Sequence, residues 1–90
     1  MDFITENNRI YSVDANGKVI SEITFPEVEN GVVDINRTFV DSSLRGQGVA
    51  GKLMELAFNK IDQLNKKTVL SCPYAEKWVA QNEQYQKYLK

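Results

Sequence analysis

The sequence predicts an α/β (α+β) fold in which an antiparallel strand meander is followed by a helix, a parallel strand and a C-terminal helix. Three observations support this prediction: apolar residues alternate in the first 40 residues, two Asn-Gly pairs interrupt them, and the apolar period becomes helical after Asp41. Alternation is typical of half-buried strands, and a period near 3.6 is typical of an amphipathic helix. The order β-β-β-α-β-α therefore favours one mixed sheet.

The first half contains three segments of strand character. Arg9–Asp14 and Lys18–Phe25 alternate, and Val32–Val40 is rich in β-branched and aromatic residues. Asn16-Gly17 and Asn30-Gly31 separate the three segments, and Asn-Gly is a strong signal for a tight hairpin turn. We therefore expect an antiparallel meander of three strands.

A long amphipathic helix is predicted from about Val49 to about Asn65, where asparagine is an acceptable left-handed terminator. One of its faces is apolar at helical spacing and consists of Leu53, Leu56, Ala57, Ile61 and Leu64.

A short buried strand is predicted at Thr68–Ser71, after the long helix. Pro73 is a favourable first helical residue, so a second helix is expected over Tyr74–Gln81, with a last helical piece at Gln84–Leu89. A strand, a crossover helix and a second strand normally pair in parallel with a right-handed crossover. The strand after the helix should therefore join the sheet in parallel.

The composition excludes several classes of protein. The chain has 90 residues, 11 Lys plus Arg, 12 Asp plus Glu, no His and one Cys. This length suits one domain spanning residues 1–90. The absence of His excludes Ser-His-Asp and Cys-His catalysis, and a single Cys excludes an internal disulfide or a thiolate metal cluster, so no metal site is expected. The net charge of -1 and the lack of a long apolar run predict no nucleic-acid or membrane partner. The single Cys, which cannot form an internal disulfide, predicts a reducing, cytoplasmic location.

The segment Leu44–Leu53 has the strongest functional signal. It places Gly46, Gly48 and Gly51 between a predicted strand and the start of the long helix, with Arg45 beside them. Glycines let a ligand approach the backbone closely, and the first amides of a helix are unpaired donors at the positive end of its dipole. The segment therefore predicts a site for phosphate oxygens.

Three phosphate motifs overlap in this loop. Gly46-x-Gly48-x-x-Gly51 matches the dinucleotide fingerprint, but no acid stands about 20 residues downstream. Gly46-x-x-x-x-Gly51-Lys52 nearly matches a Walker A loop, but Leu53 replaces the Ser or Thr that would hold magnesium. The third motif, Arg45-x-x-Gly48-x-Ala50, resembles the Arg/Gln-x-x-Gly-x-Gly/Ala signature of the GNAT acetyltransferase superfamily.

The resemblance extends over about Arg9 to Tyr85. The stretch Val40–Gly48 and the tripeptide Cys72-Pro73-Tyr74 are similar to those of the small, stand-alone GNAT-like N-acetyltransferases, whose minimal fold lacks the first helices and last strands of larger relatives. The residues Gln81-Asn82-Glu83 depart from the Arg-His-Pro type sequence common in that subgroup.

The resemblance implies acetyl-CoA as co-substrate and an unidentified amine as acceptor. It implies that the pyrophosphate binds at Arg45, Gly46, Gln47, Gly48, Val49, Ala50 and Gly51. It also implies that the pantetheine arm lies between the strands Val32–Val40 and Thr68–Ser71, against the backbone of Phe39, Val40 and Asp41. Lys66-Lys67 is either a solvated helix end or a contact for the adenosine 3′-phosphate.

Cys72 is the first candidate for catalysis, because it ends the last strand and precedes a helix, where a thiolate is stabilised. Its alternative role is that of a small buried hydrophobic residue. Tyr74 is a candidate cofactor contact or acid for the leaving thiolate, unless it only packs on the sheet. Asp34 and Asn36 lie on the central strand, and Asp34 is expected to face solvent rather than act as a base.

The function expected from these residues is acetyl-CoA binding with N-acetyltransferase activity, in a monomer or weak homodimer. The alternatives are a non-catalytic CoA or acyl-CoA binding or protein-interaction module, and a nucleotide-phosphate binder. A surplus of acids in residues 1–40, seven against three bases, hints at a cationic acceptor.

Overall fold

The structure is a computed structural model that describes residues 1–90, and it contains seven strands, two α helices and two 3-10 segments. The strands are β1 (Ile4–Thr5), β2 (Arg9–Val13), β3 (Val19–Thr24), β4 (Glu27–Glu29), β5 (Val32–Ile35), β6 (Arg37–Val40) and β7 (Lys67–Leu70). The helices are α1 (Val49–Gln63) and α2 (Pro73–Gln81), and the 3-10 segments are Ser42–Leu44 and Glu83–Tyr88.

The strands form two sheets that meet where β5 runs into β6. The first sheet is antiparallel in the order β1-β2-β3-β6. The second has the order β4-β5-β7, with β5 and β7 parallel from Val32 opposite Lys67 to Ile35 opposite Leu70. The predicted combination of an antiparallel meander, a helix, a parallel strand and a C-terminal helix is confirmed, but the single mixed sheet that was expected is divided into two.

The third predicted strand differs from its expected continuous form, because it divides at Asn36. The Asn36 N–H donates to the Thr24 carbonyl at 3.2 Å, and its side-chain oxygen accepts from the Thr24 hydroxyl at 2.6 Å. At Asn36 the chain therefore passes from β5, which pairs with β7, to β6, which pairs with β3. The predicted strand Val32–Val40 thus contributes to both sheets.

Two short strands were not predicted, and one changes the meaning of the second Asn-Gly turn. The turn at Asn30-Gly31 joins β4 to β5 rather than β3 to the central strand. Gly31 has a φ of 79°, the left-handed conformation for which Asn-Gly pairs are favoured. β4 escaped prediction because Glu27, Val28 and Glu29 are all exposed and lack a buried apolar face.

The core lies between the sheets and α1. The buried face of α1 consists of Val49, Leu53, Met54, Ala57, Phe58 and Ile61. The predicted face included Leu56 and Leu64, which are only partly buried, and omitted Met54 and Phe58. The apolar stripe is rotated because α2 and the C-terminal segment pack beside α1, where the Phe58 ring stacks on Trp78 at a centroid distance of 6.2 Å.

The C-terminal end of α1 has a left-handed cap, as predicted for Asn65. Asn65 has a φ of 56°, its N–H donates to the Asp62 carbonyl at 3.0 Å, and the Lys66 N–H donates to the Ile61 carbonyl at 3.1 Å. This paired arrangement is a Schellman motif. It turns the chain directly from α1 into β7.

Both α helices cover the same face of the sheets. Ile10 and Ile23 are fully buried on this face, in one cluster with Leu53 of α1 and Val79 of α2. The opposite face of the four-stranded sheet has no helix over it, and Glu22 there accepts hydrogen bonds from Arg9 and Arg37. No helix in the structure is both long and apolar enough to cross a membrane.

Candidate functional site

The glycine-rich loop opens α1 with unpaired backbone donors. Gly48 is the N-cap, with a φ of 75° that only glycine adopts readily, and no side chain caps the helix. The first intrahelical bond is from the Lys52 N–H to the Gly48 carbonyl at 3.1 Å. The amides of Val49, Ala50 and Gly51 therefore have no acceptor within the protein. The first turn also lacks an acidic side chain that would occupy the positive end of the dipole.

A cleft of about 190 Å³ lies in front of these amides. It is lined by Val40, Leu44, Arg45, Gly46, Gly48, Val49, Ala50, Gly51 and Tyr74. The fold thus brings β6, the loop, the first turn of α1 and the start of α2 together around one cavity. Arg45 forms no salt bridge, so its guanidinium is available to an anion in the cleft.

Three of the predicted site residues do not line this cleft. Gln47 is exposed and its side-chain amide donates to the Ser43 carbonyl at 3.5 Å. The Phe39 side chain lies on the face without helices, beside the Arg37 guanidinium. Cys72 is buried behind Tyr74, with 7% of its surface exposed.

A gap between strands leads from the cleft into the fold. β6 is the edge strand of its sheet, and β7, which pairs in parallel with β5, ends at Leu70 without pairing with β6. The Ser71 and Cys72 N–H groups both donate to the Ile35 carbonyl, at 3.2 and 3.1 Å, which closes the gap at its narrow end. Beyond Ile35 the backbone of β6 has no strand partner on this side.

The register of β6 decides which of its backbone groups face the gap. The Asp41 N–H donates to the Ile20 carbonyl at 2.8 Å, and Phe39 lies opposite Glu22 in the same register. Since antiparallel pairs alternate, Phe39 bonds to β3, while Thr38 and Val40 direct their N–H and C=O groups to the gap. Of the backbone groups expected along the pantetheine arm, those of Val40 face the gap, whereas those of Phe39 and Asp41 bond to β3.

Cys72 lies at the narrow end of the gap among hydrogen-bond donors. Its Sγ is 3.5 Å from the Thr38 hydroxyl, and the backbone N–H groups of Thr38, Tyr74 and Ala75 also point at it. Burial alone would raise the pKa of the thiol, but these four donors outweigh it and hold the pKa below its ordinary value. The donors from Tyr74 and Ala75 belong to the first turn of α2, as expected for a thiol at a helix start.

We expect Thr38→Val to raise the pKa of Cys72, because valine keeps the side-chain shape but removes the hydroxyl donor. The measurement is a pH titration of thiolate absorbance near 240 nm, which reports one residue because Cys72 is the only cysteine. Subtracting the curve of Cys72→Ser removes the contribution of tyrosines. If the titration midpoint of Cys72 has the ordinary value of a thiol in the native protein, or does not change in Thr38→Val, the surrounding donors do not lower the pKa of Cys72.

Tyr74 connects the cleft to the thiol. Its ring lines the cleft and is 39% exposed. Burial, together with negative charge on the neighbouring Cys72 thiolate, raises the pKa of the Tyr74 phenol. The hydroxyl is therefore protonated at neutral pH and can donate a hydrogen bond or a proton.

Asp34 faces away from the thiol. Its carboxylate accepts from the Ser71 N–H at 3.0 Å and from the Ser71 hydroxyl. Because successive side chains of a strand point to opposite faces, Asp34 and Ser71 lie on the face without helices, whereas Ile35 points into the core. This agrees with the expectation that Asp34 faces solvent.

Lys66 and Lys67 lie at the opposite end of α1 from the glycine loop. The 15 residues of the helix separate the two ends by about 22 Å. A phosphate on the adenosine of a nucleotide bound at the loop is too close to the pyrophosphate to reach these lysines. No three His, Cys, Asp or Glu side chains come together at metal-binding distance.

Thr38 is the site residue that sequence reasoning missed. Thr38 lies in a segment that was predicted as one continuous strand. The sequence does not indicate which side of that strand its backbone groups face. The register of β6 against β3, set by the bonds at Asn36 and Asp41, determines this orientation. An isolated threonine in a β-rich segment carries no other signal.

A glycine loop at a helix start, beside an edge strand that continues from one member of a parallel pair, defines the class of N-acetyltransferase folds. A family model of the GCN5-related N-acetyl-transferases matches residues 10–88, so the chain belongs to that family. No curated protein matched the sequence.

Solved structures show the same fold. A GCN5-like protein of Staphylococcus aureus assigned to the N-acetyltransferases, solved by NMR, has a TM-score of 0.81 and 28% identity, covering 99% of this chain and 87% of its own. The GNAT family N-acetyltransferase YhbS of Escherichia coli, solved with CoA, has a TM-score of 0.60 and 22% identity over 69% of this chain. A Bacillus anthracis protein assigned as a streptothricin acetyltransferase, solved with acetyl coenzyme A, has a TM-score of 0.57 and 20% identity over 93%.

The two ligand-bound structures are much longer than this chain. The match covers 38% of the Escherichia coli protein and 49% of the Bacillus anthracis protein. At these identities the similarity concerns the fold. This chain spans less than half the length of each of these two proteins.

Proposed function

We propose that this protein binds acetyl-CoA and transfers its acetyl group to an amine. The observation that carries the proposal is the cleft in which the free amides of α1 and Arg45 meet the unpaired edge of β6. Two structural relatives solved with CoA or acetyl coenzyme A support the choice of ligand. One domain spanning residues 1–90 would contain the whole cofactor site.

The pyrophosphate is assigned to the loop. The amides of Val49, Ala50 and Gly51 offer three donors at the positive end of α1, and Arg45 adds a full charge at the rim. Charge-assisted bonds of this kind are stronger than neutral ones. Gln47 is assigned no contact with the pyrophosphate, because its backbone N–H donates to the Leu44 carbonyl at 3.3 Å and its side-chain amide donates to the Ser43 carbonyl.

The pantetheine arm is assigned to the gap beyond the cleft. The Thr38 carbonyl and both backbone groups of Val40 face the gap, where an added strand would pair with them. An arm that runs along β6 from the loop would bring its thioester toward Thr38 and Cys72. These backbone contacts are independent of side-chain identity, so they leave no trace in the sequence.

The reaction proposed for this site is direct attack of a neutral amine on the thioester carbonyl. The new C–N bond forms, the C–S bond breaks, and the amine loses one proton to water while the CoA thiolate gains one. Tyr74 is the candidate donor of the latter proton, because it lines the cleft and its hydroxyl is protonated at neutral pH.

The first test is calorimetric titration of the protein with acetyl-CoA, ATP and NAD. Acetyl-CoA should bind more tightly than either nucleotide, and it should raise the unfolding midpoint by mass action. A preference for ATP or NAD would support the nucleotide-phosphate binder instead. If acetyl-CoA binds but a panel of amines, including polyamines and lysine peptides, releases no CoA above background, the chain is a non-catalytic acyl-CoA binding module.

Cys72→Ala is expected to lower kcat by at least about tenfold and to leave acetyl-CoA affinity nearly unchanged. The reason is that Cys72 lies where the thioester is placed, behind the residues that line the cofactor cleft. Cys72→Ser tests whether a hydroxyl, which is a weaker acid than the thiol but can donate a hydrogen bond, restores part of the rate. An unchanged rate in a folded Cys72→Ala protein would make Cys72 a core residue only, and intact mass after incubation with acetyl-CoA would detect a covalent acetyl-enzyme.

A further inference from the structure

A second cleft lies at the C-terminal end of α1, away from the site described above. Its volume is about 280 Å³, and it is lined by Asp62, Asn65, Lys66, Lys67, Lys87 and Tyr88. Three segments build it: the end of α1, the start of β7 and the last 3-10 segment. It is separated from the glycine loop by the length of α1, about 22 Å.

Two of the three lysines in this cleft have no acidic partner. The Lys67 ammonium donates to the backbone carbonyl of Lys87 at 2.7 Å, which fixes its position without neutralising its charge. Lys87 forms no salt bridge, and its Nζ is 5.3 Å from the centre of the Tyr88 ring. The third, Lys66, pairs with Glu27 at 2.7 Å.

The acidic side chain in the cleft already has a hydrogen-bond partner. Asp62 is the one acid in the lining, and its carboxylate accepts from the Tyr88 hydroxyl at 3.2 Å. The last carbonyls of α1 would also repel an anion, but those of Ile61 and Asp62 are bonded to the amides of Lys66 and Asn65. The net charge of the lining is therefore positive.

The walls of the cleft are held by packing rather than by the lysines themselves. The Tyr88 ring lies 5.5 Å from the Phe58 ring, measured between centroids, and Phe58 is buried in the core. The Lys90 N–H donates to the Thr68 carbonyl at 3.0 Å, which ties the chain end to β7. The backbone segments that carry Lys67 and Lys87 are thus fixed before any ligand arrives.

We propose that this cleft binds a small organic phosphate monoester. The phosphate would lie between the Lys67 and Lys87 ammonium groups. Their two positive charges match a dianionic phosphate ligand better than they match a singly charged carboxylate ligand. The cleft is larger than one phosphate group, so it also accommodates the organic part, with Asn65 and Asp62 available for hydrogen bonds to hydroxyls.

The test is a titration of the full chain, labelled with ¹⁵N, with glycerol 3-phosphate and separately with inorganic phosphate, at constant ionic strength. Saturable shifts should appear at the amides of residues 65–67 and 87–88, with glycerol 3-phosphate binding more tightly. Acetate should give weaker binding at the same amides. Saturating CoA should leave these shifts in place, because CoA is assigned to the other end of α1.

The matched variants are Lys87→Gln and Lys77→Gln, each of which removes one exposed lysine that has no salt bridge. Lys87→Gln should weaken phosphate binding about threefold or more, and Lys77→Gln should leave it unchanged. Shifts that do not saturate, that spread over all surface lysines, or that respond equally to both variants would overturn the proposal. Displacement of phosphate from the cleft by CoA would overturn the claim that the site is separate.

Discussion

Replacing Ala50 by glutamate is expected to weaken CoA binding about 100-fold, which corresponds to about 2.7 kcal/mol. Ala50 is the second residue of α1 and lines the cleft in front of the free amides. A carboxylate there would occupy the positive end of the helix and repel the pyrophosphate. The measurement is calorimetric titration of the variant with CoA at fixed ionic strength.

The same substitution is expected to leave the protein slightly more stable. A carboxylate in the first turn of a helix contributes about 0.3–1 kcal/mol to its stability, and α1 has no acid in this turn. Ala50→Gln is the matched control, since it adds a side chain of the same size without charge. If Ala50→Glu binds CoA as tightly as Ala50→Gln does, the pyrophosphate does not lie at the start of α1.

Phe58→Ala is expected to reduce the free energy of unfolding by about 3–5 kcal/mol. The Phe58 side chain is 1% exposed, and its ring contacts Trp78, Tyr85 and Tyr88. The loss is large for a domain of this size, where total stability is typically about 5–15 kcal/mol. Urea unfolding followed by the fluorescence of Trp78, the single tryptophan, measures it.

Phe39→Ala is the matched control for this experiment. Phe39 is only half-buried, on the face without helices, so the same truncation there should cost much less. In Phe58→Ala the amide of Lys90, bonded to Thr68, should also exchange its hydrogen faster, because the C-terminal segment loses its anchor. Equal losses of stability in the two variants would contradict the assignment of Phe58 as the residue that joins α1 to the C-terminal segment.

The parts of the fold that sequence predicted well depend on local rules. Asn16-Gly17 and Asn30-Gly31 form turns because glycine adopts positive φ without strain, with values of 83° and 79° here. The start of α1 at Val49 and its end near Asn65 likewise agree with the predicted boundaries. The glycine loop was recognisable because both its glycines and its position before a helix are features of the sequence.

The buried face of α1 was predicted only in part, for a reason that lies outside the helix. Periodicity indicates that one side is apolar but does not fix how far the stripe is rotated. Met54 and Phe58 are buried because α2 and the C-terminal segment approach from that side, and Leu56 is left at the margin. Such a rotation depends on packing partners distant in the sequence.

The sequence by itself determined the change from strands to helix near Asp41, the loop at the start of α1 and the choice of Cys72 and Tyr74 as candidates for chemistry. These features rest on residue types and spacings within a few positions of one another. Only the tertiary structure decided that the central strand divides at Asn36, that Thr38 and not Phe39 faces the gap, and that donors from two elements surround Cys72. Strand register and the meeting of distant segments decide these points, because a shift of one residue reverses which groups face the gap.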